Sequence, residues 1–220
     1  MRTLFDIEPL LPALTAGHLI LTPNRRLAAK LLSAFAAHQT QQGVNAWPTP
    51  RVLPLEGWIQ QLWQNHQDNN PAQPFSLLLD KRQELQLWEQ VILDDQESSP
   101  LLRPGGAAAQ AQSAYNTLSL WLQSCDSATY QEHQCQPDNL ARWSAAFEQR
   151  CSEQGWIILT QVIEQLIAAL THQASKHEPY VHLVEFQELP PLYKQLIETL
   201  TDKTITPARN CRNQRSGVVT

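Results

Sequence analysis

The sequence is poor in the residues and patterns on which most catalytic chemistry depends. Glycine is scarce, 7 in 220 residues, and few glycines mean few left-handed turns, which argues for helices joined by polar loops over a hairpin-rich sheet. No GxxxxGK[ST] occurs, so the glycine-rich cradle and lysine that grip a nucleoside triphosphate are missing. The double glycine Gly105-Gly106, in PGGAAAQ, has no lysine behind it and reads as a helix start. The four cysteines, Cys125, Cys135, Cys151 and Cys211, contain no CxxC pair, which fits a reducing compartment and, by default, a cytoplasmic location. Zinc is not expected, because His133-Gln-Cys135 with Cys125 and Cys151 lacks a recognised ligand spacing. His172, His177 and His182 form no HExxH and read as solvated histidines, and no GxSxG nucleophile motif occurs. No apolar run reaches the roughly 18 residues of a membrane span, and MRTLFDIEPLLPALTAGHLIL, interrupted by acids and prolines, reads as no targeting segment. Positive charge is short too: 16 Lys and Arg against 21 Asp and Glu give a net charge of -5. That excludes a global field for nucleic acid while leaving room for a local basic patch.

What is present is enough to fold. Hydrophobic residues make up 42% of the chain, sufficient for one ample domain or two small ones. HLIL at 18–21 predicts a short buried strand, and Thr22-Pro23 predict the cap and first residue of a helix burying Leu27, Ala28, Leu31, Leu32 and Phe35. WPTPRVLP reads as a loop before a second helix with Leu55, Trp58, Ile59, Leu62 and Trp63 on one face, and QNHQDNNPAQP at 64–74 reads as a linker. Helices follow from Ser76 to about Asp94, over about 106–124, and from an Asp138 cap through Leu140, Trp143, Phe147 and Cys151. WIIL then meets a helix capped by Thr160, Tyr180–Phe186 is the best strand of the chain, Pro190-Pro191 open a helix burying Leu192, Leu196, Ile197 and Leu200, and KTITP predicts one more strand. ARNCRNQRSGVVT reads as a tail. The seven tryptophans fall mostly on apolar helix faces; Trp47, beside two prolines in a loop, is the candidate for base stacking.

Three segments carry a resemblance. VHLVEFQELPPLYKQLIETL runs as an apolar strand, an acidic stop and a helix, and it resembles the metal-holding segment of superfamily 1 helicases. LILTPNRRLAAKLL resembles the strand-to-helix element that follows the phosphate loop in those enzymes. With VLPLEGWIQQLW between them, the order and spacing look like the N-terminal part of the AddB-like helicase–nuclease family of bacterial DNA repair proteins. The resemblance covers about a quarter of the chain.

It implies an α/β fold with a small parallel RecA-like sheet, of the P-loop NTPase kind, and a large all-helical insertion. The expected division is 1–74 and 156–207 for the core, 75–155 for the insertion and 208–220 for a tail or truncated end. Aligning Glu-Phe-Gln puts Glu185 at the family's water-orienting glutamate, Val184 at its magnesium-linked aspartate, and Glu188 at the aspartate that follows. Magnesium demands oxygen ligands, and valine has none. Without that carboxylate or a lysine loop the chain lacks the groups that neutralise charge in phosphoryl transfer, so Glu185 is a vestigial candidate and no cofactor or metal is expected. By the same resemblance Thr22, Asn24 and Arg25 inherit a contact with single-stranded DNA, with Arg26 and Lys30 as supporting charges. The expected function is a non-hydrolytic helicase-like domain serving strand contact or complex assembly, with single-stranded DNA and other domains or subunits of a helicase–nuclease as partners. The family's longer members end in a nuclease domain, which makes this chain read as a fragment. The competing expectation is a helical scaffold that binds protein alone.

Overall fold

A computed structural model describes residues 7–72, 74–95, 104–122, 137–171 and 178–205. The expectations on Cys125, Cys135, Cys211, His133, His172, His177 and the tail lie outside the described residues. The chain divides into two compact units: Met1–Gln61 with Gln173–Glu188 and Ile197–Thr220, and Leu62–His172 with Leu189–Leu196. It is a mixed α/β fold with two small parallel sheets and a large helical portion.

In the first unit a 3-10 turn at Glu8–Leu10 and α1, Leu11–Thr15, lead through Gly17 to β1, Leu19–Thr22. All four β1 residues are buried, as a strand flanked on both edges and covered on both faces requires. The helix after it, α2 (Arg25–Gln41), is capped two residues later than the sequence predicts. Thr22 remains in the strand, pairing with Pro54, and Asn24 is the cap: its backbone is extended and its Oδ1 accepts from the Leu27 N–H at 2.9 Å. Asparagine accepts this bond more readily than threonine, and the proline ahead of it holds the chain extended into the cap.

WPTPRVLP is not wholly a loop. Val52–Pro54 forms β2, a parallel partner of β1 with Ile20 opposite Val52, because Pro54 at an edge needs no ladder donor. From β2 the chain enters α3, Leu55–Asn69, so residues 64–69, expected as linker, continue the helix. The chain returns as β5 (Glu178–Leu183), beside β1 with Leu21 opposite Leu183, and runs through α8 (Pro191–Leu200) into β6 (Thr201–Ile205), also parallel. The sheet order is β2-β1-β5-β6. One face of it packs Ile20, Val52 and Val184 against Leu10, Leu14, Leu31 and Phe35 of α1 and α2.

The second unit was expected to be purely helical up to 155, and it carries a small sheet as well. The helix predicted from Ser76 begins only at Lys81. Leu77–Leu78 forms β3, parallel to β4 (Trp156–Ile157), and Asp80 caps α4 (Lys81–Leu93) in a reciprocal box with Gln83. The capping box outcompetes the apolar periodicity that runs on into Leu78. Gly155 supplies the positive φ of 64° that lets the preceding helix turn into β4. That helix, α6 (Pro137–Gln154), packs with α4 and α5 (Pro104–Leu120), which begins at PGG as the sequence predicts. Trp88 and Phe147 are fully buried and stack at 4.3 Å between ring centres, with Tyr115 tilted against both. Asp95 ties α6 to the end of α4, accepting from Arg142 Nη2 at 2.7 Å and from the Trp143 indole at 2.6 Å. The helix expected to be capped by Thr160 is α7, Leu159–Thr171, and Thr160 lies buried within it. Cys151 sits in this core, where burial pushes its thiol up to about 12, leaving it unreactive.

Candidate functional site

In an open parallel sheet, ligands gather outside the C-terminal ends of strands at the point where the winding reverses. Here the chain leaves β1 to form β2 on one flank and leaves β5 to form β6 on the other, while β1 and β5 are neighbours. Their C-terminal ends therefore form such a switch point. One side of it is Thr22-Pro23-Asn24 and the first turn of α2; the other is Val184-Glu185, joined to β1 by the Val184 N–H donating to Leu21 O at 3.1 Å. The topology thus brings to one sheet end the two segments singled out in the sequence.

Their side chains divide by exposure. Thr22 has none: it is fully buried, and its hydroxyl donates to Asn24 O at 3.0 Å, so its part is to shape the turn. Asn24 is exposed, with its side chain engaged as the helix cap. Arg25, Arg26 and Lys30 are exposed and have no ion-pair partner among the described residues. Helix geometry leaves the N–H groups of Arg25 and Arg26 without intrahelical acceptors, so partial positive charge and three side-chain cations share the start of one 17-residue helix.

Across the switch point, Val184 is 4% exposed and belongs to the apolar core. A carboxylate placed there would meet aliphatic side chains. Glu185 is exposed and takes a left-handed backbone, φ 59°. That conformation costs a non-glycine residue roughly 1 kcal/mol, and nothing in the sequence announces it. Trp47, the candidate for base stacking, is partly buried against the α1–α2 core.

A second feature was misread as solvated. His182 is 8% exposed on the same sheet face, and its Nε2 lies 3.0 Å from His18 Nδ1. The ring centres are 5.3 Å apart and the planes 18° from parallel, so the rings meet nearly end to end through one shared hydrogen bond. Tyr180 stacks on His18 at 4.7 Å. Burial, with His18 beside it, pulls the His182 imidazole below the usual histidine range. The signal was available: His182 alternates with Val181 and Leu183 in a strand apolar enough to be buried on both faces.

Among the described residues, no group of three or more His, Cys, Asp or Glu could hold a metal ion, and no helix is long and apolar enough to cross a membrane. Compared with known proteins, the chain matches no family model and no curated protein.

Proposed function

We propose that the four-stranded sheet is a RecA-like core and that the chain is a non-hydrolytic, helicase-like domain of a bacterial, cytoplasmic DNA repair helicase–nuclease, touching single-stranded DNA at the β1–β5 switch point. The observation that carries the reading is the juxtaposition at one sheet end of the α2 N-terminus, with its exposed Arg25, Arg26 and Lys30, and the Val184-Glu185 strand end. Phosphate contacts position a strand without reading its sequence, and cations beside a helix N-terminus suit that task. Asn24 and Thr22 hold the turn from which those cations project. Hydrolysis is not part of the reading, because the position aligned with the magnesium carboxylate is a buried valine and no lysine loop exists. Glu185 remains as the strand-end carboxylate of a motor-like site, and other domains or subunits of the assembly supply whatever chemistry it performs.

The test is anisotropy of a labelled single-stranded oligonucleotide titrated with the purified chain at two salt concentrations, alongside an ATP hydrolysis assay. Weak, salt-sensitive binding without hydrolysis is expected. Nucleotide hydrolysis by the chain would overturn the non-hydrolytic part. Absence of binding at low salt would favour the protein-binding scaffold.

A further inference from the structure

The second unit contains a pocket of about 390 Å³, within the size range of small-molecule sites. It lies between the C-terminal end of α3, the turn that follows it, and α7. Its wall combines two aromatic rings, Trp63 and Phe75, with the carboxamides of Gln67, Asn70 and Gln165. Among the described residues no charged side chain lines it, which argues against a phosphate or carboxylate ligand and for a neutral polar one.

The hydrogen bonds within the wall narrow the chemistry. Gln67 Nε2 donates to Ser76 O at 2.8 Å, and Asn70 Nδ2 donates to His66 O at 2.8 Å. A backbone carbonyl can only accept, so both amides are fixed in orientation and keep their carbonyl oxygens as spare acceptors. Gln165 is exposed, with no partner among the described residues for either its donor or its acceptor. Trp63 is 5% exposed, and its indole N–H is buried with no partner among the described residues. Phe75 is 71% exposed, a large ring left open beside the pocket.

A ligand that satisfies this wall is flat and uncharged, and carries an amino group, with one N–H for each of the two fixed oxygens, next to an acceptor. We propose that the pocket takes a nucleobase whose Watson–Crick edge sets an exocyclic amine beside an unprotonated ring nitrogen, adenine or cytosine, from a single strand. The base face lies on Phe75, the amine donates to the Gln67 and Asn70 oxygens, and Gln165 meets the remaining edge. This rests on the strand-binding reading above. A proline-rich peptide is the poorer fit: it offers few N–H donors, and the grooves that take one present several open aromatic ridges, whereas here Trp63 is closed off.

The experiment separates the two readings by using nucleosides, which carry no phosphate. Adenosine, cytidine and thymidine are titrated into the isotope-labelled full chain while the side-chain amide signals of Gln67, Asn70 and Gln165 are followed by NMR. Adenosine and cytidine should shift those signals, thymidine should bind about tenfold more weakly for want of the amine, and Phe75→Ala should weaken adenosine about tenfold through lost stacking. Because Phe75 is exposed, the variant removes no core contact. Nucleosides that leave the signals unmoved, thymidine equal to adenosine, an unchanged Phe75→Ala, or a proline-rich peptide moving the same signals more strongly would each overturn the assignment. Salt-sensitive oligonucleotide binding without nucleoside shifts would sink the pocket alone. Nucleoside shifts without oligonucleotide binding would sink the strand reading alone.

Discussion

If three exposed cations at the start of α2 meet the strand, the salt dependence of binding is fixed by their number. Arg25, Arg26 and Lys30 lack ion-pair partners among the described residues, so each is free to neutralise one phosphate. A single strand releases about 0.7 counterion per phosphate neutralised, which sets a slope of about -2.1 for log affinity against log salt and an about 18-fold loss from about 50 to about 200 mM. Replacing Arg25 and Arg26 by alanine leaves one cation, a slope of about -0.7 and an about threefold loss over the same range. Both positions are exposed on a helix and alanine is the best helix former, so fold and stability should hold. Anisotropy titrations at four salt concentrations measure both slopes. A double variant with the wild-type slope would refute the reasoning, since the strand would then be meeting cations elsewhere.

Three further outcomes follow from buried groups and backbone. His182 is held neutral by burial and by His18, and a depressed imidazole contributes stability that is present above the ordinary histidine value of about 6.5 and lost as pH falls below it; the urea midpoint should fall between pH 7 and 5 more steeply in wild type than in His182→Gln, and parallel profiles would rule this out. Burial raises the carboxyl of Glu84 in α4 against the hydrogen bonds from Asn116 and Gln112, so its contribution is full below the ordinary carboxyl range and lost as pH rises through the raised value. Glu84→Gln should therefore be more stable than wild type at pH 7, on the order of 1 kcal/mol, with the gap closing toward pH 4; a gap that widens on acidification would contradict the sign. At Glu185 the left-handed backbone predicts that Glu185→Gly gains about 1 kcal/mol while Glu185→Val loses at least as much, and equal chemical-denaturation midpoints for the two would exclude strain there.

What the sequence made legible was the part written in period and punctuation. The faces of α2 and α8 followed from repeats of Leu, Ile and Phe, and Leu192, Leu196, Ile197 and Leu200 are all buried. Gly105-Gly106 sits where a helix starts. What escaped was set by competition or by distance. Ser76 to Leu79 had helical periodicity but lost to the capping box that begins at Asp80, and Val52–Pro54 became a strand only because β1 offered an open edge. His182 found His18 from 164 positions away, a pairing that no local window contains. The candidate site shares this character: each half was visible as a motif, and only strand order puts the two at the same end of the sheet.

The central pair of the large sheet also constrains how the protein can be made. β1 emerges from the ribosome early, yet its β5 neighbour is synthesised only after the whole helical excursion. Until then a largely apolar strand carries an unpaired edge, the template on which chains cross-pair. Folding of the excursion first would shorten the effective loop that closes the sheet, so the helices double as a spacer that delivers the late strand. Any truncation ahead of residue 178 should yield a chain that clumps instead of one that is merely inactive.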